Sequence, residues 1–165
     1  LNIRALLLAA GMGTRLRPLT DHWPKCLMPI GGRPLLEYWL ETLKIVGICK
    51  ILVNLHHHAD SMKLFLGRPR FEGWVDHIFE PKLLGTAGTL ATNKDYFNGI
   101  TTLLIHADNW CRCNFEKFIE YHRSFRPNNC PITMMTFVSL TPDTCGIVEK
   151  DEQGVVQRLH EKVIN

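Results

Sequence analysis

An apolar run that ends in a glycine-rich segment constrains this sequence more than any other feature. Residues 5–10 read ALLLAA, and residues 11–25 continue as GMGTRLRPLTDHWPK. Two glycines allow backbone N–H groups to approach an anion closely, and Arg15 and Lys25 would then complement the negative charge of that anion. The segment therefore predicts a triphosphate-binding loop that directly follows a buried first strand.

Two other classes of glycine loop do not fit this segment. A Walker P-loop requires a Gly-Lys pair followed by Ser or Thr, and no Gly-Lys pair occurs anywhere in the chain. A dinucleotide-binding fingerprint requires a third glycine at position 16, where this chain has Leu16. The spacing of the two glycines, the arginine and the lysine thus favours a different kind of phosphate site.

Composition limits the classes of protein that the chain can belong to. Its 165 residues, 45% of them hydrophobic and 21% charged, suffice for one domain with a sizeable core. The net charge of +3 comes without a basic run that would point to nucleic acid, and the apolar stretch is too short to span a membrane. Six cysteines lack disulfide-like spacing. We therefore expect a single domain over residues 1–165 in the cytoplasm, without nucleic-acid or membrane partners.

Strand-like apolar runs alternate with amphipathic helix-like ones, which predicts an α/β layer fold with a largely parallel sheet. Helices are expected to start at Pro34, at an Asp60 cap, within residues 80–90 and at an Asn114 cap. A polar turn at residues 150–154 predicts an antiparallel hairpin. The predicted strands are residues 3–9, 50–55, 74–79, 101–105 and 132–140, followed by the hairpin strands at 146–149 and 155–159.

Two segments at predicted strand ends could contact a ligand. Asp108 follows the apolar residues 103–105, at the sheet edge where ligands collect in open α/β folds. It could ligate Mg²⁺ together with substrate phosphates, or simply cap the next turn. Residues 84–88, LGTAG, place small side chains at a helix entrance. They would allow either close strand–helix packing or a flat nucleobase against bare backbone, and the pattern alone leaves both alternatives open.

Clustered histidines and cysteines are weaker candidates for chemistry. Consecutive residues on a strand point to opposite faces, so His56, His57 and His58 are expected to be incidental residues of a strand-to-helix turn. Cys111 and Cys113 lack a second pair at zinc-finger spacing, so we expect reduced thiols. A zinc-dependent or redox-active cysteine protein remains a rival that metal analysis would decide.

Four motifs, in this order, resemble the sugar-1-phosphate nucleotidylyltransferases, also called sugar-nucleotide pyrophosphorylases. The resemblance extends over essentially the whole chain and is greatest for mannose-1-phosphate guanylyltransferase-type members. It implies a Rossmann-like three-layer sandwich with a mixed, mainly parallel sheet. The motifs are the loop G-x-G-T-R-x-x-P-x-T-x-x-x-P-K, the LGTAG segment, Asp108 after its strand, and Glu161-Lys162, after which Val163 replaces the family's usual proline.

The resemblance also implies a reaction. A nucleoside triphosphate, expected to be GTP, reacts with a sugar 1-phosphate to give a nucleoside diphosphate sugar and pyrophosphate, with Mg²⁺ as cofactor. The alternatives are uridylyl transfer within the same family and a non-catalytic, nucleotide-sensing homologue. Non-catalytic relatives often lack the arginine, the lysine or the metal aspartate, whereas Arg15, Lys25 and Asp108 are all present here. The sequence leaves the identity of the sugar and the formation of a homo-oligomer open.

The resemblance also implies roles for individual residues. It assigns catalysis to Arg15, Lys25 and Asp108, with Asp108 as the Mg²⁺ ligand. A second metal aspartate of the family would lie on a later strand, so we expect this chain to be truncated at its C-terminus. Nucleotide binding is assigned to Ala9, Ala10, Gly11, Met12, Gly13, Thr14, Arg15, Gly85, Thr86 and Gly88, and sugar-phosphate binding to Lys25, Gly146, Glu161 and Lys162.

Overall fold

The computed structural model describes residues 2–161 of the chain. These residues form two compact units, one up to Arg112 and one from Cys113 onward. The strands are β1 (Ile3–Leu8), β2 (Pro29–Ile30), β3 (Arg33–Pro34), β4 (Ile51–Leu55), β5 (Val75–Phe79), β6 (Thr101–His106), β7 (Ile147–Lys150) and β8 (Val156–His160). The α-helices are α1 (Leu35–Ile45), α2 (Ala59–Leu66), α3 (Gly85–Thr92), α4 (Lys94–Phe97) and α5 (Phe115–Ser124).

A four-stranded parallel sheet in the order β5-β4-β1-β6 organises the first unit. The chain runs from β1 outward through β4 to β5 and then returns to the other side of β1 as β6. Strand order thus reverses at β1, and the carboxyl ends of β1 and β6 border the crevice that such a reversal creates. The predicted α/β fold with a parallel central sheet is confirmed. The antiparallel pairs β2–β3 and β7–β8 form two separate two-stranded sheets.

The two central strands of the sheet, β1 and β4, are buried on both faces. Leu6 and Leu52 pack with Phe97 of α4 on one face, where Leu90 of α3 also makes contact. On the opposite face, Ala5, Leu7, Ile51 and Val53 are fully buried. Parallel strands that are covered on both faces require nearly continuous apolar runs, as β1 and β4 provide. Asn54, a polar residue within β4, is an exception to this pattern.

Helix boundaries differ from the sequence prediction at two positions. Pro34 pairs within β3 and directly precedes α1 instead of occupying its first turn. Asp60 lies inside the first turn of α2, which begins at Ala59 after His58, so the predicted Asp60 cap is wrong. His58 has left-handed backbone angles (φ 53°), which end the preceding segment and let the helix begin two residues earlier than expected.

The second unit contains α5 and the hairpin β7–β8. Asn114 caps α5 as predicted, since its side chain accepts a hydrogen bond from the Lys117 backbone N–H at 3.0 Å. The strand predicted at residues 132–140 is wrong: those residues are in no ladder among the described residues. Phe137 and Val138 are 82% and 94% exposed. Apolar composition favours an extended conformation, but a strand also requires a neighbouring chain with which to form hydrogen bonds.

No helix within residues 2–161 has the length and apolar character needed to cross a membrane.

Candidate nucleotide-binding site

A pocket of about 230 Å³ opens where the strand order of the first unit reverses. It is bordered by Leu8 at the end of β1, His106 at the end of β6, Asn54 in β4 and Glu80 just after β5. The pocket therefore lies at the carboxyl edge of the sheet, as the position of the glycine loop predicted. The predicted site residues that line it are Ala9, Ala10, Gly11, Lys25, Gly85, Thr86 and Asp108.

The glycine loop is held in shape by Thr20. Gly13 has a left-handed backbone (φ 65°), and its carbonyl accepts a hydrogen bond from Thr20 Oγ1 at 2.8 Å. A Cβ atom at position 13 would lie 2.8 Å from Thr20 Cγ2 and 3.2 Å from Lys25 Cβ. Only glycine therefore fits here without displacing its neighbours, one of which is the lysine of the motif.

His58 supports the same loop from outside. Its Nε2 donates a hydrogen bond to the Thr20 carbonyl at 3.0 Å, so α2 is tied through Thr20 to Gly13. A left-handed backbone at a non-glycine residue is unfavourable and persists where its surroundings hold it in place. Among the described residues no group of three or more His, Cys, Asp or Glu is arranged to hold a metal. His58 thus supports the glycine loop, a role that the sequence pattern did not predict.

Lys25 and Asp108 form an ion pair at the pocket. Nζ of Lys25 donates to Oδ2 of Asp108 at 2.6 Å, and the side chains are 23% and 34% exposed. Lys25 opens a single helical turn whose next residues, Cys26 and Leu27, are buried and anchor it. Asp108 follows the fully buried Ala107, whose N–H donates to the Leu8 carbonyl at 3.0 Å. Both charges are thus positioned by buried neighbours, beside the loop that follows β1.

The donor chemistry at Asp108 fits a magnesium ion. Mg²⁺ is usually held by one or two carboxylates together with substrate phosphates, rather than by a full cage of protein ligands. Asp108 supplies one carboxylate at a pocket that the glycine loop also borders. The arrangement therefore suits a metal that arrives with a nucleotide.

A buried polar network forms another wall of the pocket, and the sequence analysis missed it. Asn54, Glu80 and Thr89 are no more than 3% exposed. Asn54 Nδ2 donates to Glu80 Oε1 at 3.1 Å and approaches Thr89 Oγ1 at 3.3 Å, and Thr89 Oγ1 donates to Glu80 Oε1 at 2.6 Å. An asparagine within the otherwise apolar segment ILVNL was the one signal in the sequence that could have indicated this network.

Glu80 combines a rigid backbone with one unsatisfied oxygen. Its N–H donates to the Leu55 carbonyl at 2.8 Å, and its carbonyl accepts from His56 Nδ1 at 2.8 Å. The side-chain atom Oε2 is buried and has no hydrogen-bond partner. A buried carboxylate oxygen without a donor is costly, which makes it a candidate acceptor for a ligand.

Other predicted site residues surround or lie outside this pocket. Met12, Thr14 and Arg15 are exposed and continue the glycine loop, with Arg15 in a single helical turn at Thr14–Leu16. Gly88 lies inside α3, where a Cβ atom would approach Leu84 Cβ to 3.0 Å. Ala9 lines the pocket, but its N–H already donates to Asn54 Oδ1 at 2.7 Å.

Gly146 and Glu161, two of the predicted sugar-phosphate residues, belong to the second unit. Gly146 directly precedes β7, and a Cβ atom there would lie 3.6 Å from the His160 carbonyl oxygen. Glu161 follows β8 and is exposed. Lys162 falls outside the described residues. The assignments of these three residues remain predictions.

The chain belongs to the nucleotidyl transferase family, whose model matches residues 4–162. It is 31% identical over 163 residues to the mannose-1-phosphate guanylyltransferase catalytic subunit beta of Drosophila pseudoobscura pseudoobscura, covering 96% of this chain and 43% of that protein. It is 32% identical over 161 residues to the glucose-1-phosphate thymidylyltransferase of Streptomyces griseus, covering 97% and 44%. The family predicted from the four motifs is thereby confirmed.

A solved structure has the same fold. HddC from Yersinia pseudotuberculosis, complexed with GMP-PN, superimposes with a TM-score of 0.73 at 25% identity, covering 96% of this chain and 69% of that one. The chain spans less than half the length of the curated relatives described above. Relatives at this similarity include guanylyl- and thymidylyltransferases, so similarity alone leaves the nucleotide open.

Proposed function

We propose that the protein transfers a guanylyl group from GTP to a sugar 1-phosphate and releases pyrophosphate. One observation carries the proposal: a single pocket is lined by the glycine loop, by the Lys25–Asp108 pair and by the buried carboxylate of Glu80. These groups have the charges and the hydrogen-bonding capacity that a triphosphate, a metal ion and a purine base require.

The reaction needs charge neutralisation more than proton transfer. An oxygen of the sugar phosphate attacks the α-phosphorus of GTP in line, a new P–O bond forms, and the bond to pyrophosphate breaks. The nucleophile is already an anion, so no general base is required. The obstacle is the approach of two polyanions, which positioning and electrostatic stabilisation overcome.

Each charged group then has a role in that approach. Backbone N–H groups of residues 11–13, together with Arg15, bind the triphosphate. Lys25 offsets negative charge near the α-phosphate and the incoming sugar phosphate. Asp108 is the residue that would hold Mg²⁺, and the ion would supply Lewis-acid neutralisation of phosphate charge there.

Glu80 favours guanine over uracil and thymine. An ionised carboxylate only accepts hydrogen bonds. Guanine presents two adjacent donors, N1–H and the 2-amino group, to such an acceptor. Uracil and thymine flank their single N3–H with two carbonyl oxygens, which a carboxylate repels. The partnerless Oε2 of Glu80 therefore supports GTP as the substrate.

The remaining assignments follow from the family. Gly146, Glu161 and Lys162 are proposed to bind the sugar and its phosphate, and residues 1–165 to act as one nucleotidyltransferase domain. Six cysteines without disulfide-like spacing support a cytoplasmic protein.

The proposal is tested by pyrophosphate release with Mg²⁺, using GTP, UTP, CTP, ATP and dTTP against a panel of sugar 1-phosphates. Release that requires both substrates and is fastest with GTP is the expected result. Fastest release with UTP or dTTP would establish a different nucleotidyl donor. Mg²⁺-dependent nucleotide binding without any release would instead support a nucleotide-sensing homologue.

A further inference from the structure

We infer that Asn54 is a positioning residue that holds the Glu80 carboxylate in its base-reading orientation and ties it to the start of the phosphate loop. The inference rests on the proposed function, because it concerns how the same pocket recognises its nucleotide. It assigns Asn54 and Thr89, which contact Glu80, an indirect part in choosing the base.

The position of Asn54 within the sheet is the first argument. All five residues of β4 are buried, and Asn54 is the polar one among them. A buried amide is unfavourable unless its hydrogen bonds are made, and an apolar residue would suit a doubly covered parallel strand better. Asn54 makes its hydrogen bonds to Ala9, Glu80 and Thr89, all of which line the pocket. Its side chain therefore organises the pocket rather than the sheet.

The two ends of the amide act on different parts of the pocket. Oδ1 accepts the N–H of Ala9 at 2.7 Å, at the first residue after β1. This bond fixes the point from which the glycine loop departs. Nδ2 donates to Glu80 Oε1 at 3.1 Å. One rigid amide group thus sets the distance between the phosphate-binding backbone and the carboxylate.

Two donors fix the orientation of the Glu80 carboxylate. Oε1 receives hydrogen bonds from Asn54 Nδ2 and from Thr89 Oγ1. Rotation of the carboxylate would break both bonds in a buried setting, where each is costly to lose. Oε2 is therefore left in one defined orientation without a protein donor. Under the proposed function, the base would supply that donor.

The experiment compares three ligands on two variants. Isothermal titration calorimetry measures the binding of GTP, UTP and inorganic tripolyphosphate, the last of which probes the phosphate loop without a base. Thr89→Val keeps the side-chain shape and removes one donor to Glu80. Asn54→Leu removes the contacts to both Glu80 and Ala9. Thr92→Val, an exposed threonine on the same helix, is the matched control.

We expect the wild-type protein to bind GTP more tightly than UTP. Thr89→Val should lower that preference at least about fivefold and leave tripolyphosphate binding unchanged, as expected for the loss of one charge-assisted hydrogen bond. Asn54→Leu should lower the preference and also weaken tripolyphosphate binding. Thr92→Val should change neither quantity.

Thermal unfolding of each variant separates positioning from a general loss of stability. If Thr89→Val lowers Tm but keeps the wild-type GTP preference, the network is merely structural and the inference is wrong, whether or not Asn54→Leu folds. If the wild-type protein prefers GTP over UTP and every variant retains that preference, this inference is wrong and the proposed function is unaffected. A wild-type protein that binds no nucleotide overturns the proposed function as well.

Discussion

The Lys25 ammonium lies 2.6 Å from Oδ2 of Asp108, although the two residues are 83 positions apart in the chain. Both side chains are only partly exposed, so their attraction is screened less than that of a surface pair. Under the proposed function, Lys25 would pair with phosphate oxygens once the nucleotide is bound, and Asp108 would be free to hold the metal. Each charge therefore has a counterpart both before and after the ligands bind.

Loss of either partner should impair turnover severely. Lys25→Ala and Asp108→Ala are each expected to lower kcat for pyrophosphate release at least roughly a hundredfold, since one such electrostatic contact contributes about 2.7–4 kcal/mol to the barrier. Each change also leaves the opposite charge without its partner at the pocket. Initial rates at saturating GTP and sugar 1-phosphate provide the measurement.

Two surface residues provide controls for these variants. Lys94→Ala and Asp95→Ala remove the same charges from exposed positions on α4, away from the pocket lining, and should keep wild-type rates. Turnover within a factor of about ten of wild type in either pocket variant would contradict the roles proposed for Lys25 and Asp108.

Glu80→Gln should change the choice of base. The carboxamide has nearly the same shape as the carboxylate, but it carries both a donor and an acceptor. Because Asn54 and Thr89 both donate to Oε1, the carboxamide oxygen keeps that position and the amide nitrogen replaces Oε2. The variant can then donate to a carbonyl of uracil but no longer accepts from guanine there. We expect the ratio of kcat/KM for GTP over UTP to fall at least about tenfold, because a charge-assisted hydrogen bond to guanine is lost.

The control for this change is Glu72→Gln, at an exposed position just before β5. It should keep the wild-type ratio. An unaltered GTP preference in Glu80→Gln would show that another group reads the base.

The sequence predicted those features that depend on local patterns. The apolar run before the glycine loop indicated the first strand, and the alternation of strands and helices indicated a parallel sheet. The structure confirms the strand and the sheet. Strand order was not predictable, because it depends on which apolar runs come to lie side by side. The strand prediction at residues 132–140 failed for the same reason, since extended residues without a partner form no ladder.

The same distinction between local patterns and distant contacts applies to the site residues. Lys25 and Asp108 were predicted through family motifs, and the structure brings them into contact. The network of Asn54, Glu80 and Thr89 was missed because its members are 26 and 35 residues from Asn54 along the chain. No local periodicity reports such contacts, and only the polar residue in β4 indicated that one was needed.

Gly13→Ala should damage the phosphate loop more than an alanine at another left-handed glycine. Position 13 combines a left-handed backbone with a Cβ clash against Thr20, whereas Gly73 has a similar φ of 79° and open space around it. Gly73→Ala therefore incurs only backbone strain, about 1–2 kcal/mol. Gly13→Ala also displaces Thr20 and Lys25, so we expect a lower Tm and at least about tenfold weaker tripolyphosphate binding.

Calorimetry of the two alanine variants checks this prediction. Equal losses of tripolyphosphate affinity in both variants would show that the contact between Gly13 and Thr20 has no part in anion binding.

Cys26 should resist alkylation although it lines the pocket. Burial raises the pKa of the Cys26 thiol to about 12, and the neighbouring Asp108 carboxylate contributes in the same direction. Only the thiolate reacts, so at pH 8 roughly one Cys26 side chain in ten thousand would be reactive even if reagent could reach it. Its Sγ also lies 3.4 Å from Met62 Sδ, in a side chain that is 1% exposed.

Cys49 is exposed and serves as the internal control. Iodoacetamide at pH 8 followed by mass spectrometry should label Cys49 and leave Cys26 unmodified, while both react in guanidinium chloride. Labelling of Cys26 at the rate of Cys49 in the folded protein would mean that the turn carrying Lys25 opens to solvent, and the ion pair of Lys25 with Asp108 would then lack the buried anchor that this geometry gives it.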